Sequence, residues 1–188
     1  MKKLTYLFLA LIIVACSDDD SDNEVNEPSN CDVVYLASNG VTIKACDDAN
    51  VGDTGVIDGV TYMVVDEAML RYKVLFEEDV SKLATTKVTD MSKLFYTDIN
   101  FNQPIDNWDV SNVIDMSQMF YTAYNFNRPI GDWDVSNVTN MEGMFSYSPF
   151  NQDISSWSVD GVTDCISFSD NCPLTEANTP NFTNCNPN

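Results

Sequence analysis

The chain repeats itself with a period of about 25 residues, and a fixed period of that length restricts the fold more than any other feature. Residues 101–125 read FNQPIDNWDVSNVIDMSQMFYTAYN, and residues 126–149 read FNRPIGDWDVSNVTNMEGMFSYSP, one residue shorter. A third copy opens at Phe150 as FNQDISSWSVDGVTDCISFSD and decays toward the C-terminus. Half a copy, VTDMSKLFYTDIN, runs from Val88 to Asn100. Four apolar columns line up: Leu83, Trp108, Trp133 and Trp157; Val88, Val113, Val138 and Val162; Met91, Met116, Met141 and Cys165; Phe95, Phe120 and Phe145. A unit this short buries an apolar face only against its neighbour, which predicts coil stacked on coil.

Each coil is expected to have three parts. Phe-Asn-x-x-Ile predicts a short strand in a parallel sheet, Trp-Asp-Val-Ser-Asn a turn, and Val-x-x-Met-x-x-Met-Phe one or two helical turns. Asp115 and Asn140 stand where caps for those helical turns would sit, and Asn102, Asn127 and Asn151 recur in register as a candidate amide ladder. Ahead of the repeats, Val33–Leu36 and Val41–Ala45 flank Ser38-Asn39-Gly40, and Val56–Ile57 and Val60–Val65 flank Asp58-Gly59, a two-residue hairpin signal. Asp66 is placed to cap a helix over about residues 67–78, with Met69, Leu70, Val74 and Leu75 on one face. The end of a stack exposes its columns, so residues 67–87 are read as its cap. The predicted fold class is therefore α/β: a short right-handed solenoid of short parallel strands and short helices, preceded by a β-hairpin and helix capping module.

The wording WDVSNVTxMxxMF followed by FNxPI or FNQDI resembles the BspA-like surface-protein family across residues 83–170. Asn39–Lys44 through Gly59–Tyr62 resemble the leader module that precedes such repeats, and Pro180–Cys185 the ending of such lipoproteins. The resemblance implies leucine-rich-like repeats on a surface-exposed lipoprotein, and for some members adhesion to host or matrix proteins or to other cells. This chain departs from the adhesive members in carrying few repeats.

Lys2 and Lys3 precede an apolar run, Leu4 to Ala15, that is too short for a resident membrane helix and has the proportions of a secretory signal. Its end, Ile13-Val14-Ala15-Cys16, resembles the lipobox of bacterial lipoproteins. That resemblance implies export by the general route, cleavage before Cys16, lipidation of Cys16 and anchoring at the outer membrane or cell surface. The acidic stretch from Ser17 to Glu24 reads as a disordered tether continuing to Pro28. It resembles a surface-export signal; a solubilising linker is the other reading. The expected organisation is thus 1–15 signal peptide, 16–30 tether, 31–82 N-terminal module, 83–170 repeats and 171–188 C-terminal cap.

The formal net charge of −20 disfavours nucleic acid, because phosphate binding needs Lys and Arg to displace counterions. Arg128 is the single basic residue after Lys93. The acidic surface reads either as a solvated face or as an attraction for basic partners or divalent cations. Lipidation of Cys16 would leave five of the six cysteines. Cys31 and Cys46 bracket a candidate hairpin, and a Cys165–Cys185 bridge would pin the tail over the open end of the stack, leaving Cys172 unpaired. A zinc site is the rival reading, weakened by the absence of His and of a C-x-x-C pair.

With no His, Ser-His-Asp and Cys-His chemistry is excluded, and no phosphate loop or EF-hand loop is present. Carboxylate pairs such as Asp106 with Asp109 and Asp132 with Asp134 recur at equivalent repeat positions, which marks turn formers rather than a catalytic pair. No enzyme activity, metal or cofactor is expected. Binding to an extracellular protein or glycan leads, through the varying column Gln103, Arg128 and Gln152 and through Tyr121, Tyr124 and Tyr147. These tyrosines read equally as cover for the coil edges. The alternative function is a spacer or component of an outer-membrane surface complex with no ligand of its own.

Overall fold

The computed structural model describes residues 31–188. The expected signal peptide, the tether and lipidation of Cys16 lie outside the described residues. Two small sheets and one helix form the N-terminal part. Strands β1 (Val34–Leu36) and β2 (Ile43–Ala45) pair antiparallel, with Val34 opposite Ala45. Strands β3 (Thr54–Ile57) and β4 (Val60–Val64) form a second hairpin around Asp58 and Gly59, both at positive φ, 49° and 80°. Positive φ at both positions is what lets so tight a turn follow the twist of its strands. Helix α1 spans Glu67–Leu75; Asp66 caps it by accepting from the Met69 N–H at 2.8 Å. Leu70 is buried and Met69 and Val74 are packed against the core, but Leu75, expected on the same face, is 75% exposed because the helix ends there. Strand β5 (Leu83–Ala84), which no sequence pattern announced, pairs parallel to β4.

The α/β solenoid expectation is overturned. Among the described residues there is one α-helix, two small sheets and a short 3-10 turn at Glu176–Asn178, with no repeated strand-and-helix unit. Two physical causes are visible. The Phe-Asn-x-x-Ile segments form no parallel strand; Pro104 and Pro129 stand inside two of them and have no N–H to give a ladder. Side chains bridge these segments instead: Asn127 Nδ2 donates to Asn151 Oδ1 at 2.9 Å, and the Asn151 N–H donates to Asn127 Oδ1 at 3.1 Å. The Val-x-x-Met-x-x-Met-Phe segments form no α-helix, because alternate N–H groups leave the segment. Those of Met116, Gln118, Phe120 and Thr122 donate to the carbonyls of Asn140, Glu142, Met144 and Ser146. Most of the remaining N–H groups close four-residue turns, such as Met119 to Met116, and Gln118 and Thr122 take left-handed φ of 55° and 53°. Asp115 and Asn140 accordingly make turns rather than helix caps, accepting from the N–H two residues on, Ser117 and Glu142.

The apolar columns are buried. Trp108, Val113, Met116 and Phe120 are all at 0% exposure, and one core cluster runs from Val65 to Phe168. Two phenylalanine files run through it: Phe95, Phe120 and Phe145 have ring centroids 5.5 and 5.6 Å apart, and Phe101, Phe126 and Phe150 are 5.8 and 6.0 Å apart. Each Trp indole N–H donates back to the preceding copy, from Trp108 to Val80 O, Trp133 to Ile105 O and Trp157 to Ile130 O, at 3.0 to 3.2 Å. A buried indole needs such a partner, so the Trp column fixes the offset between copies.

Helix α1 sits on the first copy through Arg71. Its guanidinium donates to the carbonyls of Ser92 (2.9 Å) and Asp90 (3.2 Å) and pairs with Glu67 and Asp90 carboxylates. In later copies the equivalent carbonyls accept from the copy before, so Arg71 replaces a missing neighbour. Arg71→Met is expected to lower stability by roughly 1–2 kcal/mol, the range for charge-assisted bonds at a partly exposed site. Urea denaturation checks this, and an unchanged midpoint would mean water caps those carbonyls equally well.

Candidate functional site

The six residues of the expected binding face divide into separate places. Gln103 and Arg128 come together on one groove of about 360 Å³ between the end of α1 and the first repeats. Its floor carries Phe95 and Phe101, stacked at 3.6 Å, and its rim carries Glu77, Glu78 and Asp98. Gln103 is spent on structure: its Oε1 accepts from the Val80 N–H at 2.8 Å and its Nε2 donates to Glu78 O at 3.0 Å. Arg128 anchors its Nε on Asn102 O at 2.8 Å, which directs the rest of a planar guanidinium along the groove wall. Glu78 is paired with Lys73 at 2.8 Å, and Asp98 Oδ1 accepts from the Asn100 and Phe101 N–H groups, so the groove lines Arg128 with Glu77 and Asp98 without an ion pair between them. Gln152 lies elsewhere, donating to Asn127 Oδ1 and Asn151 Oδ1 at 3.1 and 3.3 Å.

The tyrosines form a second surface. Tyr96 and Tyr121 stack at 5.1 Å with planes 12° apart, and Tyr147 meets Tyr121 edge-on at 5.7 Å. Tyr96 is 44% and Tyr147 46% exposed, so the row faces outward. Tyr124 is exposed and stacks on no other ring among the described residues. The turns behind the row are tied to their neighbours by backbone bonds, including Thr97 N–H to Tyr121 O at 2.8 Å. A row of rings held this way offers area and hydroxyls with little ordering left to do on binding. Sequence reasoning missed Tyr96, although it follows Met91 at the interval by which Tyr121 follows Met116; the half copy hid it. It also missed Glu77 and Asp98, which no periodicity links to Arg128.

Disulfides join Cys31 to Cys46 and Cys165 to Cys185, with Cα atoms 6.0 and 5.8 Å apart. Cys172 is the free cysteine of the described residues; its Sγ donates to Phe150 O at 3.0 Å, and burial pushes its pKa up, which disfavours the thiolate in the folded chain. Of the recurrent aspartates, Asp109 is nearly fully buried, with Oδ1 held by the Ser111 hydroxyl at 2.7 Å and by Lys44 at 3.6 Å. Among the described residues no group of three His, Cys, Asp or Glu side chains is arranged to hold a metal ion, and no helix is long and apolar enough to cross a membrane.

Residues 65–182 match the family described as Mycoplasma protein of unknown function, DUF285. The chain belongs to this family. The family match takes in α1, every repeat and most of the tail, so both surfaces described above lie within it, while the first two hairpins lie outside it. DUF285 is related to BspA-like repeat proteins, and membership together with two disulfides is consistent with a surface protein. No curated protein and no solved structure matches the chain.

Proposed function

We propose that this DUF285 chain is a non-enzymatic, lipid-anchored cell-surface protein of the BspA-like kind that binds an extracellular protein or glycan. The outward row Tyr96, Tyr121 and Tyr147 carries this reading. Aromatic rings on a rigid backbone stack on sugar faces and fill shallow protein hollows at low entropic cost. The sequence contains no histidine, and the recurrent Asp109 and Asp134 are bound by the hydroxyls of Ser111 and Ser136 in their own turns, which supports binding over chemistry. Lipidation at Cys16 would hold the row away from the membrane at the end of the acidic stretch that follows it.

The test has two arms. The mature chain is screened against matrix proteins and a glycan array, then compared with Tyr96→Ala/Tyr121→Ala. The double variant is expected to bind any detected ligand at least about tenfold more weakly, since interface aromatics of this kind contribute more than 1 kcal/mol. Undiminished binding would move the site elsewhere, with the Arg128 groove next in line. Palmitate labelling of cells expressing wild type and Cys16→Ala checks the anchor: label on the variant would sink it. The spacer reading draws its support from Gln103 and Gln152, whose amides are consumed by internal bonds.

A further inference from the structure

We propose that the C-terminal edge of the stacked turns accepts a basic segment of another polypeptide, turned as the copies' own rows are, as an additional rung. The observation is one of direction. Along the row of turns that opens at each Met of the inward column, alternate N–H groups donate to the C-terminal neighbour, whereas just ahead of the row Ile114, Thr139 and Thr163 donate back to Thr89, Ile114 and Thr139. Met141, Gly143, Phe145 and Tyr147 donate to Asp164, Ile166, Phe168 and Asp170 at 2.7 to 2.9 Å. The last turns repeat this geometry, with left-handed φ of 56° at Ser167 and 53° at Asn171, but residues 172–188 supply no acceptor row for them. The N–H groups of Cys165, Ser167, Ser169 and Asn171 have no hydrogen-bond partner among the described residues. Cys165 lies buried at its disulfide, whereas Ser167 and Ser169 are half-buried and Asn171 is exposed.

The chain's own tail closes the apolar end and leaves this row open. Phe182 packs on Phe168 with centroids 4.9 Å apart, and Asn178 O accepts from the Ile154 N–H, while no tail carbonyl accepts from Ser167, Ser169 or Asn171. An unpaired row of donors is a template for chain pairing, as at a sheet edge. The choice of occupant follows by elimination. Two copies cannot join these edges to each other, because donor would face donor. A second copy cannot offer its opposite edge, because Arg71 occupies the carbonyls of Asp90 and Ser92 there. Free anions are repelled by Asp164 and Asp170, which flank the row in sequence, and by a net charge of −20. What remains is a peptide backbone presenting carbonyls at alternate residues on a positively charged chain. This surface is distinct from the tyrosine row, so failure of the ligand screen leaves it standing, and its failure leaves the screen unaffected.

Amide hydrogen exchange by NMR on the mature chain tests it. Without peptide, the Ser167, Ser169 and Asn171 amides are expected to exchange at least about tenfold faster than those of Gly143, Phe145 and Tyr147, which are paired. The probe is a synthetic peptide with the sequence of residues 114–122 and two lysines appended; within the protein, the carbonyls of Ser117, Met119 and Tyr121 accept from such a row. Millimolar peptide is expected to slow the three amides about tenfold. The same peptide with proline at the Gln118 position cannot take the left-handed turn and is expected to give no protection. Slow exchange before peptide is added, no slowing with it, or equal slowing by the proline peptide would each overturn the proposal.

Discussion

Trp133→Ala is expected to lower the unfolding free energy by about 3–5 kcal/mol, the range for large buried aromatics cut to alanine. Trp133 is 3% exposed, lies parallel to Trp157 at 6.4 Å, and packs beside Phe120 at 6.5 Å. Truncation opens a cavity between three copies that the backbone bonds hold at fixed spacing, so the walls cannot collapse to fill it. Trp133→Phe separates packing from hydrogen bonding. It keeps most of the ring but removes the donor to Ile105 O, and about 1 kcal/mol is the expected loss. That smaller cost is also favoured by a second donor, since the Trp108 N–H reaches the same carbonyl at 3.1 Å. Equilibrium denaturation followed by far-ultraviolet circular dichroism reads both. A loss under about 1 kcal/mol for the alanine variant would show that the column carries little of the stability.

The second large effect sits at the C-terminal end. Replacing Cys165 and Cys185 together by alanine is expected to cost about 3 kcal/mol, from the chain entropy restored to a loop of this length in the unfolded state. The bridge spans a separation of 20 residues and holds the tail where Phe182 covers Phe168. The loss should therefore be uneven. Exchange protection is expected to fall first for the amides that pair copy to copy at this end, Gly143 and Phe145, and to persist at Lys93 and Phe95. The comparison belongs in a Cys172→Ala background, so that any thiolate formed on the unpaired cysteine of the described residues cannot exchange with the bridge during unfolding, when its burial is lost. Uniform loss of protection along all copies would show that they unfold as one unit and that the bridge has no local role.

Much of the core was legible because it was written several times. The Trp, Val, Met and Phe columns all turned out buried, since a residue type that returns at the same place in each copy meets the same neighbours. The two hairpins and the cap of α1 were legible for a different reason: Asp58-Gly59 and Asp66 act within a few residues of themselves. The strands and helical turns assigned inside each copy were wrong. Periodicity tells which side chains face inward but not where backbone N–H groups go. Here they go to the adjacent copy, which leaves neither an i to i−4 ladder nor a parallel sheet. The candidate surfaces divide in the same way. Tyr121 and Tyr147 stood out as varying positions, but the ring of Tyr96 that completes the row was hidden in a half copy.

What the amino-acid order determined by itself is the inventory of this protein: a 25-residue unit, its inward columns, its local turns, and an acidic chain lacking histidine. What only the tertiary structure decided is direction and meeting. Alternate N–H groups of the turn rows all point to the following copy, Arg71 closes carbonyls at the other end, Arg128 shares a groove with Glu77 and Asp98, and the last row of donors is left without acceptors among the described residues. The physical reason is that a hydrogen bond between copies joins residues about 24 positions apart, and no local pattern of hydrophobicity records which partner a backbone group will find.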